Sequence, residues 1–495
     1  MNPQSLILVT VDCLRADHVG WLGYKRPTTP FLDSLAQESA VFSNAIVAGA
    51  PTYYSFPAVM ASRAPLALGR DVIGLAPGEV TLASTLRESG YATAAFLAGN
   101  PYLSRRFGYS EGFDTFHDFL GANLHDVEPV PIADSTAALG HLNSWLDRTS
   151  HKLGPIGRAY DELYFQYCQR VAKLPPASFD SLRRFRAADT IVGQASEWIT
   201  KNSGKPFFLW VHFMDPHGPY YPCQQVLEWL GRGDLDAPRA RYLNSYWNRH
   251  DLSESRLRRH LGDVVALYDA GIRWVDFQLS QLIENLRQSG VWDRCSLAVT
   301  ADHGEEFLDH GRRYHSPSQV GEEIIRVPLL LRSPGMKPSA PMTAPFSLLH
   351  LAPTLLDAVD VPIPGSFHGH SHWAQLRAGK SWKESAVVEC VSNCTNPFRR
   401  TNRLGSRVLV IREQRYKLVI DFFTREDKLY DLENDPRELK TLPVNADKSV
   451  RKRLLEVAHR HISSSRKSRD LDLALAARFR DIRVEAAGST RAVPA

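Results

Sequence analysis

Short, continuous apolar runs recur along the chain at intervals that favour an α/β fold. Runs rich in Val, Ile, Leu and Phe predict strands at Ser5–Val11, Ala92–Leu97, Pro206–Phe213, Cys295–Thr300 and Val327–Leu331. Their apolarity is continuous rather than alternating, which is typical of strands covered on both faces of a parallel sheet. The pattern therefore predicts a sheet buried between two layers.

Apolar residues at helical spacing predict helices between these strands. The predicted helices are Thr29–Ser39, Ala58–Ala64, Leu82–Ser89, Ala187–Thr200 and Asp263–Gln288. In the last of them, the apolar residues follow the 3.6-residue period of one helix face. Alternating strands and helices indicate a layered α/β domain with a mostly parallel central sheet and helices on both faces.

Changes in this alternation of strands and helices divide the chain into three predicted parts. Residues 1–340 form the main α/β domain, with helical insertions near 123–186 and 223–259 that are richer in Arg, Trp and Tyr. Residues 341–445 hold the remainder of the core and a small C-terminal antiparallel sheet, predicted from alternating apolar and polar positions. Residues 446–495 form a basic tail that is helical or flexible.

The composition is that of an ordinary globular protein. Of 495 residues, 43% are hydrophobic and 23% are charged, which excludes collagen-like, coiled-coil and wholly disordered chains. The 59 basic and 54 acidic residues give a formal charge of +5, too small an excess to indicate a nucleic-acid partner. Six scattered cysteines, the absence of a signal-peptide pattern and the absence of a run of ~20 apolar residues predict a cytoplasmic chain without a transmembrane segment. A homo-oligomer is compatible with this composition.

Acids and histidines follow three of the predicted strands. Asp12 follows the first strand, and Asp302 and His303 follow the fourth. Because ligands bind at the carboxyl edge of open α/β sheets, these three side chains are candidate ligands for a divalent cation.

Further candidate ligands stand near the same edge. The third predicted strand ends in HFMDPHGPYYP, which offers His212, Asp215 and His217, and His310 and His315 follow Asp302 in a short loop. Any one of these histidines could instead be a buried structural residue. Three strands that all deliver His or Asp to one edge favour a functional site.

A hydroxyl nucleophile is available in the segment APTYYSFPAVMAS. It contains Thr52, Ser55 and Ser62 near a predicted helix. A hydroxyl at a helix N-terminus lies near unpaired N–H groups that can also hold an oxyanion. Thr52 or Ser55 could equally serve only as a cap of that helix.

The ordered motifs of this chain resemble the alkaline phosphatase superfamily, and within it the sulfatase-like branch. The matching segments begin with VTVDCLRADHVGWLGY, TLASTLRESGYATAAFL, PFFLWVHFMDPHGPYYP and VTADHGEEFLDHG, and continue through RVPLLLRSPG, LLHLAPTLLDAVDVPIP and RYKLVIDFFTREDKLYDLENDPREL. The resemblance implies an alkaline-phosphatase-like layered sandwich with a small C-terminal antiparallel subdomain.

The resemblance also implies roles for single positions. Asp12, Thr52, Asp302 and His303 stand where the superfamily binds its active-site cation, and Cys13 stands where many sulfatases have a further metal-binding Asp. The sulfatase signature Cys-x-Pro-x-Arg reads Thr52, Tyr53, Tyr54, Ser55, Phe56. Because Thr cannot be oxidised to the formylglycine aldehyde, Thr52 is expected to act directly as metal ligand and nucleophile.

The sequence therefore predicts a metal-dependent hydrolase of phosphate mono- or diesters that forms a covalent phospho-enzyme on Thr52. His217 or His310 is the predicted proton donor to the leaving oxygen. One divalent cation, Mn, Zn, Ca or Mg, is expected, and a second would use Asp215, His217 and His315. The expected partner is an anionic ester substrate. The alternatives are a sulfuric ester hydrolase, a phosphoryl-headgroup transferase and a non-catalytic binding or scaffold protein.

Overall fold

The computed structural model describes residues 4–70, 72–120, 162, 165–166, 178–336 and 340–464, and an eight-stranded sheet forms its centre. The strands of this sheet are β1 (Ser5–Val11), β2 (Ala40–Ile46), β3 (Ala92–Leu97), β4 (Thr115–His117), β5 (Phe207–Phe213), β6 (Cys295–Ala301), β9 (Arg326–Arg332) and β10 (Phe346–Ser347). A separate two-stranded ribbon pairs β7 (Glu306–Phe307) with β8 (Arg313–Tyr314). The predicted insertion at 123–186 lies largely outside the described residues, as does the tail beyond 464.

The sheet is mostly parallel, in the order β10-β2-β9-β6-β1-β5-β3-β4. β1 lies in the middle, where it pairs in parallel with β5 and β6. β9 alone in this order runs antiparallel to both of its neighbours. Every residue of β1, β5 and β6 is buried, so both faces of the sheet are covered, as their continuous apolarity predicts.

Helices pack against both faces and position the loops at the sheet edge. The described α-helices are α1 (Pro30–Ala36), α2 (Thr52–Ala61), α3 (Leu82–Glu88), α4 (Phe179–Leu182), α5 (Ala188–Asn202), α6 (Gln224–Trp229), α7 (Ala237–Trp247), α8 (Glu254–Arg258), α9 (Leu261–Gln288), α10 (Glu322–Ile325), α11 (Leu351–Ala358) and α12 (Trp373–Arg377). α6, α7 and α8 fall in the stretch from 223 to 259. Among the described residues, no helix is long and apolar enough to cross a membrane.

The difference from the predicted elements that matters most for the site concerns α2. The spacing predicts a helix from Ala58, whereas the structure begins it six residues earlier at Thr52. Pro57 causes the error, because proline is most common in the first turn of a helix but here lies inside it. The earlier start puts the Thr52 hydroxyl at the helix N-terminus.

A small antiparallel sheet follows the main one. It consists of β11 (Ala386–Val391), β12 (Arg407–Arg412), β13 (Tyr416–Asp421) and β14 (Glu426–Asp431), in sequence order. A helical stretch at 448–464 packs on it, and Leu409, Leu418 and Leu454 share a second apolar core. The chain is therefore an α/β sandwich with a small appended sheet, as the resemblance implies.

Candidate active site

Parallel strands end together at one edge of the main sheet and carry polar side chains there. Asp12 follows β1, Asn100 lies just beyond β3, and Asp302 follows β6. The Asp12 N–H donates to the carbonyl of Phe213 in β5 at 2.8 Å, which fixes the end of β1 against its neighbour. This is the carboxyl edge, where open α/β sheets bind their ligands.

Four buried side chains, Asp12, Thr52, Asp302 and His303, form what we call the edge cluster. His303 Nε2 lies 3.2 Å from Thr52 Oγ1, 3.5 Å from Asp302 Oδ2 and 3.7 Å from Asp12 Oδ1. The two carboxylates and the imidazole are 0% exposed, and Thr52 is 4% exposed. The fold thus brings together the four residues that the resemblance puts at the cation.

The donor atoms of the edge cluster fit a divalent cation. His303 Nδ1 donates to the Gly304 carbonyl at 2.8 Å, so Nε2 keeps a lone pair for a metal. Asp302 Oδ2 is buried and has no hydrogen-bond partner among the described residues. Such an oxygen is costly unless a cation or a proton neutralises it. Carboxylate, imidazole and hydroxyl donors together suit a divalent metal ion.

Burial and mutual charge shift the pKa values of this cluster in opposite directions. Burial favours the neutral carboxyl group of Asp12, but His217, His212 and His303 outweigh it and hold its pKa below the ordinary value. Burial and the Asp12 charge raise the pKa of Asp302. Burial opposes the charged form of His303, but Asp302 and Asp12 raise its pKa. The cluster therefore favours an added positive charge, either a proton or a cation.

Thr52 differs from the two other hydroxyls that the sequence offers. It is the first residue of α2, and its Oγ1 faces the edge cluster. The Ser55 hydroxyl is buried without a hydrogen-bond partner among the described residues. Ser62 ends the helix in the left-handed region at φ 46° and donates to the Leu349 carbonyl at 2.6 Å. Within the part of the chain that the structure describes, Thr52 is the one of these three whose hydroxyl contacts His303.

A second polar group adjoins the edge cluster through Cys13. The potential ligand atoms of Cys13, His217 and His315 all lie within 4.8 Å of one another. The Cys13 thiol donates to Asp12 Oδ1 at 3.2 Å, and its Sγ lies 3.4 Å from His315 Nδ1. The same nitrogen lies 3.0 Å from Glu305 Oε1. Burial, with Glu305 and Asp12 nearby, raises the pKa of the Cys13 thiol, so this residue is a thiol when no metal is bound.

Two predicted residues lie outside these groups. The structure groups His217 and His315 with Cys13 rather than with Asp215. Asp215 Oδ1 instead accepts from the Ala188 N–H at 3.3 Å, and burial raises its pKa to about 7. His310 Nε2 lies 3.4 Å from Glu323, in a different group with Glu438.

The structure also adds residues that the sequence reasoning missed. Asn100 Nδ2 donates to Asp12 Oδ2 at 2.8 Å, and the Tyr220 hydroxyl donates to Glu305 Oε2 at 2.9 Å. The position of Asn100 just after β3 is a signal of the same kind as that of Asp12. Glu305 and Tyr220 carry no such signal, because their roles depend on how two loops meet.

Phe56 shows what replaces the signature arginine. Its side chain is fully buried, and its ring packs 5.4 Å from the rings of both Trp210 and His212. His212 Nε2 lies 3.4 Å from Asp12 Oδ2. An apolar contact thus occupies the position at which the signature has a guanidinium, so the stabilising charge of a formylglycine mechanism is missing there.

The fold and the edge cluster define an ester hydrolase of the alkaline-phosphatase-like kind. The chain belongs to the sulfatase family, because the family model "Sulfatase" matches residues 4–361. A second model, "N-sulphoglucosamine sulphohydrolase, C-terminal", matches residues 312–466.

Individual proteins agree with this assignment. An arylsulfatase of Clostridium perfringens is 24% identical over 472 residues, which cover 89% of this chain and 90% of that protein. A phosphonate monoester hydrolase of Agrobacterium radiobacter superposes with a TM-score of 0.61 at 19% identity, covering 94% of this chain and 96% of that one. A 2-O GAG sulfatase superposes with a TM-score of 0.63 at 19% identity, covering 95% and 93%. The two structural likenesses support the fold.

Proposed function

We propose that this chain hydrolyses sulfate esters with Thr52 as the direct nucleophile. The family assignment and the arylsulfatase relative support the sulfuric ester as substrate class. The observation that carries the mechanism is the position of Thr52 Oγ1, which begins α2 and lies 3.2 Å from His303 Nε2 in the edge cluster. Asp12, Asp302 and His303 would hold the cation together with Thr52. Once bound, that cation supplies positive charge that favours the ionised Thr52 hydroxyl and offsets charge on the ester oxygens.

The residues of the chain account for the bond changes. Thr52 Oγ1 attacks sulfur, and the bond from sulfur to the leaving oxygen breaks. His217 Nδ1 donates to the Gly218 carbonyl at 2.6 Å, which leaves Nε2 as the nitrogen that takes up and releases a proton. In the imidazolium form, Nε2 passes its proton to the leaving oxygen. Water then attacks the sulfated Thr52, His217 accepts its proton, and sulfate and the free hydroxyl result. The unpaired N–H groups at the start of α2 stabilise the developing negative charge.

Phosphate mono- or diesters are the second candidate substrates. Thr52 and Phe56 replace the Cys and Arg of the sulfatase signature, and direct attack by a hydroxyl does not need the formylglycine aldehyde. The likeness in fold to a phosphonate monoester hydrolase supports this candidate as well. The same edge cluster would serve both reactions, because negative charge lies on the oxygens around the reacting sulfur or phosphorus in both transition states.

The test is turnover of p-nitrophenyl sulfate, p-nitrophenyl phosphate and p-nitrophenyl phenylphosphonate with Mn, Zn, Ca or Mg added. The sulfate ester should be turned over fastest, and Thr52→Ala should lower turnover by at least ~10³-fold. Ser55→Ala is the matched control, because it removes a hydroxyl from the same helix and should leave turnover within about twofold of the wild type.

Two results would distinguish a wrong substrate class from a wrong nucleophile. Faster turnover of either phosphorus ester, still dependent on Thr52, would replace the first candidate with the second. Turnover of any ester that survives Thr52→Ala would show that another group is the nucleophile. Mass spectrometry of quenched reactions should find the sulfuryl or phosphoryl group on the peptide that contains Thr52.

The proposal includes a cytoplasmic location. Five cysteines of the described residues are free thiols, and the Cys13 thiol donates to Asp12 in the edge cluster. A compartment that keeps thiols reduced preserves this contact. Fractionation of the native cells should recover the chain with cytoplasmic markers, and recovery outside the cytoplasm would contradict this part of the proposal.

A further inference from the structure

A second cluster of metal-ligating side chains lies away from the edge cluster. We call it the loop cluster: His350, His370, His372 and Glu384, whose potential ligand atoms lie within 4.8 Å of one another. His350 precedes α11, His370 and His372 stand in the segment that leads into α12, and Glu384 lies between α12 and β11. Three separated parts of the chain therefore meet at this point.

The distances within the loop cluster match metal coordination. His370 Nε2 and His372 Nε2 lie 3.4 and 3.3 Å from the same oxygen, Glu384 Oε2. Zinc bound at ~2.05 Å by nitrogen and oxygen ligands in a tetrahedron separates those ligands by about 3.3 Å. The two distances that meet at Glu384 Oε2 thus match two edges of a tetrahedral face, and the potential ligand atoms of the two histidines lie within 4.8 Å of each other.

The burial of His372 indicates that a ligand belongs here. The residue is 2% exposed, yet its Nδ1 has no hydrogen-bond partner among the described residues, and the contact of its Nε2 is the 3.3 Å approach to Glu384 Oε2. A buried imidazole whose nitrogens lack well-formed hydrogen bonds costs free energy, part of which a metal bond to Nε2 would recover. His372 also lies against Trp382, with ring centroids 4.4 Å apart, so its ring is held in place.

His350 has a different role, set by its hydrogen bonds. Its Nδ1 accepts from the His370 N–H at 3.1 Å, so its proton is on Nε2. That Nε2 lies 3.4 Å from Glu384 Oε1, the oxygen that is not shared by the two other histidines. His350 is therefore a positioning residue, which orients the ligating carboxylate as outer residues of metal sites commonly do.

We propose that His370, His372 and Glu384 bind a zinc ion, with His350 orienting Glu384. Two imidazoles and one carboxylate favour zinc over calcium or magnesium, which prefer oxygen ligands. The His370 side chain is 57% exposed, so the fourth position is open to solvent.

The site has a definite place relative to Thr52. Beside it, the N–H groups of His368 and Gly369 donate to the carbonyl and the hydroxyl of Ser62, at 2.8 and 3.0 Å. Ser62 ends α2, which Thr52 begins, so zinc would tie the loop to the far end of the nucleophile helix. Its expected effect is on stability rather than on the bond changes at Thr52.

The experiment compares zinc binding by the stripped full chain and its variants. Each protein is titrated with zinc chloride, desalted and analysed for metal, and its Tm is measured with and without zinc. Because the edge cluster can also take zinc, the comparison includes Asp12→Asn. The wild type should bind one equivalent more than His372→Gln, and Asp12→Asn should retain the zinc that His372→Gln loses.

Further variants keep the proposal testable if His372→Gln folds poorly. His370→Ala alters a half-exposed side chain and should abolish the same zinc equivalent and the zinc-dependent rise in Tm. His350→Gln should weaken zinc binding about 10-fold without abolishing it. His250→Ala, which removes an exposed histidine elsewhere, is the control and should bind as the wild type does.

The inference fails if His370→Ala and His372→Gln both bind as much zinc as the wild type. It also fails if the stripped wild type binds no zinc beyond that lost in Asp12→Asn. Ester turnover by His370→Ala, with the edge-cluster cation supplied, should stay within about twofold of the wild type. These readouts are independent of whether sulfate or phosphate esters are the substrates.

Discussion

The edge cluster and the loop cluster use similar side chains but are built in different ways. Residues that follow β1 and β6 supply the carboxylates and the histidine of the edge cluster, which has no exposed carboxylate or imidazole surface. Loop segments around α11 and α12 supply the loop cluster, which exposes much of one histidine. A rigid sheet edge suits chemistry that needs fixed geometry, whereas a cluster between loops suits a stabilising role.

The strongest test of this division is Asp12→Asn. It removes a charge from the edge cluster and should lower ester turnover by at least ~10³-fold, because cation binding is lost. Metal analysis should show the loss of the edge-cluster cation alone. Asp180→Asn, at a side chain that is 87% exposed, should change neither quantity. Loss of zinc from the loop cluster as well would show that the two regions are not independent.

Asp215 offers a test of a buried carboxylate at the same edge that belongs to neither cluster. Burial raises its pKa from 3.8 to about 7. Between these values the unfolded chain gives up its proton while the folded chain retains it, so this group lowers stability as pH rises from about 4 to 7. The full cost, on the order of 4 kcal/mol, is present above pH 7.

Asp215→Asn should therefore raise Tm by several degrees at pH 8 and have little effect near pH 4. Thermal unfolding across this pH range measures the difference. Glu88→Gln, at an exposed carboxylate that does not act on Asp215, should follow the wild type at every pH. A rise in the Tm of Asp215→Asn that does not depend on pH would contradict the raised pKa of Asp215.

The roles of His217 and His310, the two candidate proton donors, can be distinguished with esters whose leaving groups differ. His217→Gln should slow hydrolysis of a simple alkyl ester about 10²-fold and that of a p-nitrophenyl ester much less, because only the poorer leaving group needs the proton. His310→Gln should have little effect on either ester, since His310 lies beside Glu323. Equal effects of the two substitutions would contradict the assignment of His217.

The smallest expected effect concerns metal preference. Cys13→Asp replaces a soft sulfur beside Asp12 with the hard oxygen that many sulfatases have there. The ratio of calcium-supported to zinc-supported turnover should rise about 10-fold. Cys13→Ser, which removes the thiol without adding a charge, should lower zinc-supported turnover and leave calcium-supported turnover low. An unchanged ratio in Cys13→Asp would show that Cys13 has no influence on the cation.

The difference between the edge cluster and the loop cluster also explains how much of the structure could be predicted from the sequence. Asp12, Asp302 and His303 follow apolar strands, and parallel strands must bring them to one edge, so their meeting could be predicted. β2 was missed because Ser43 and Asn44 interrupt its apolar run. The loop cluster depends on the path of connections that have no periodicity, and no pattern along the chain signals that path.

The central position of β1 has a consequence for how the chain is made. Both of its partners come much later in the chain, and Ser5 lies opposite Cys295 in β6. At ~5–20 residues per second, a ribosome needs roughly 15–60 s to supply that partner. During this interval the apolar segment SLILVTV lacks at least one of its two native neighbours, so the nascent chain is expected to need a chaperone until the middle of its sheet exists.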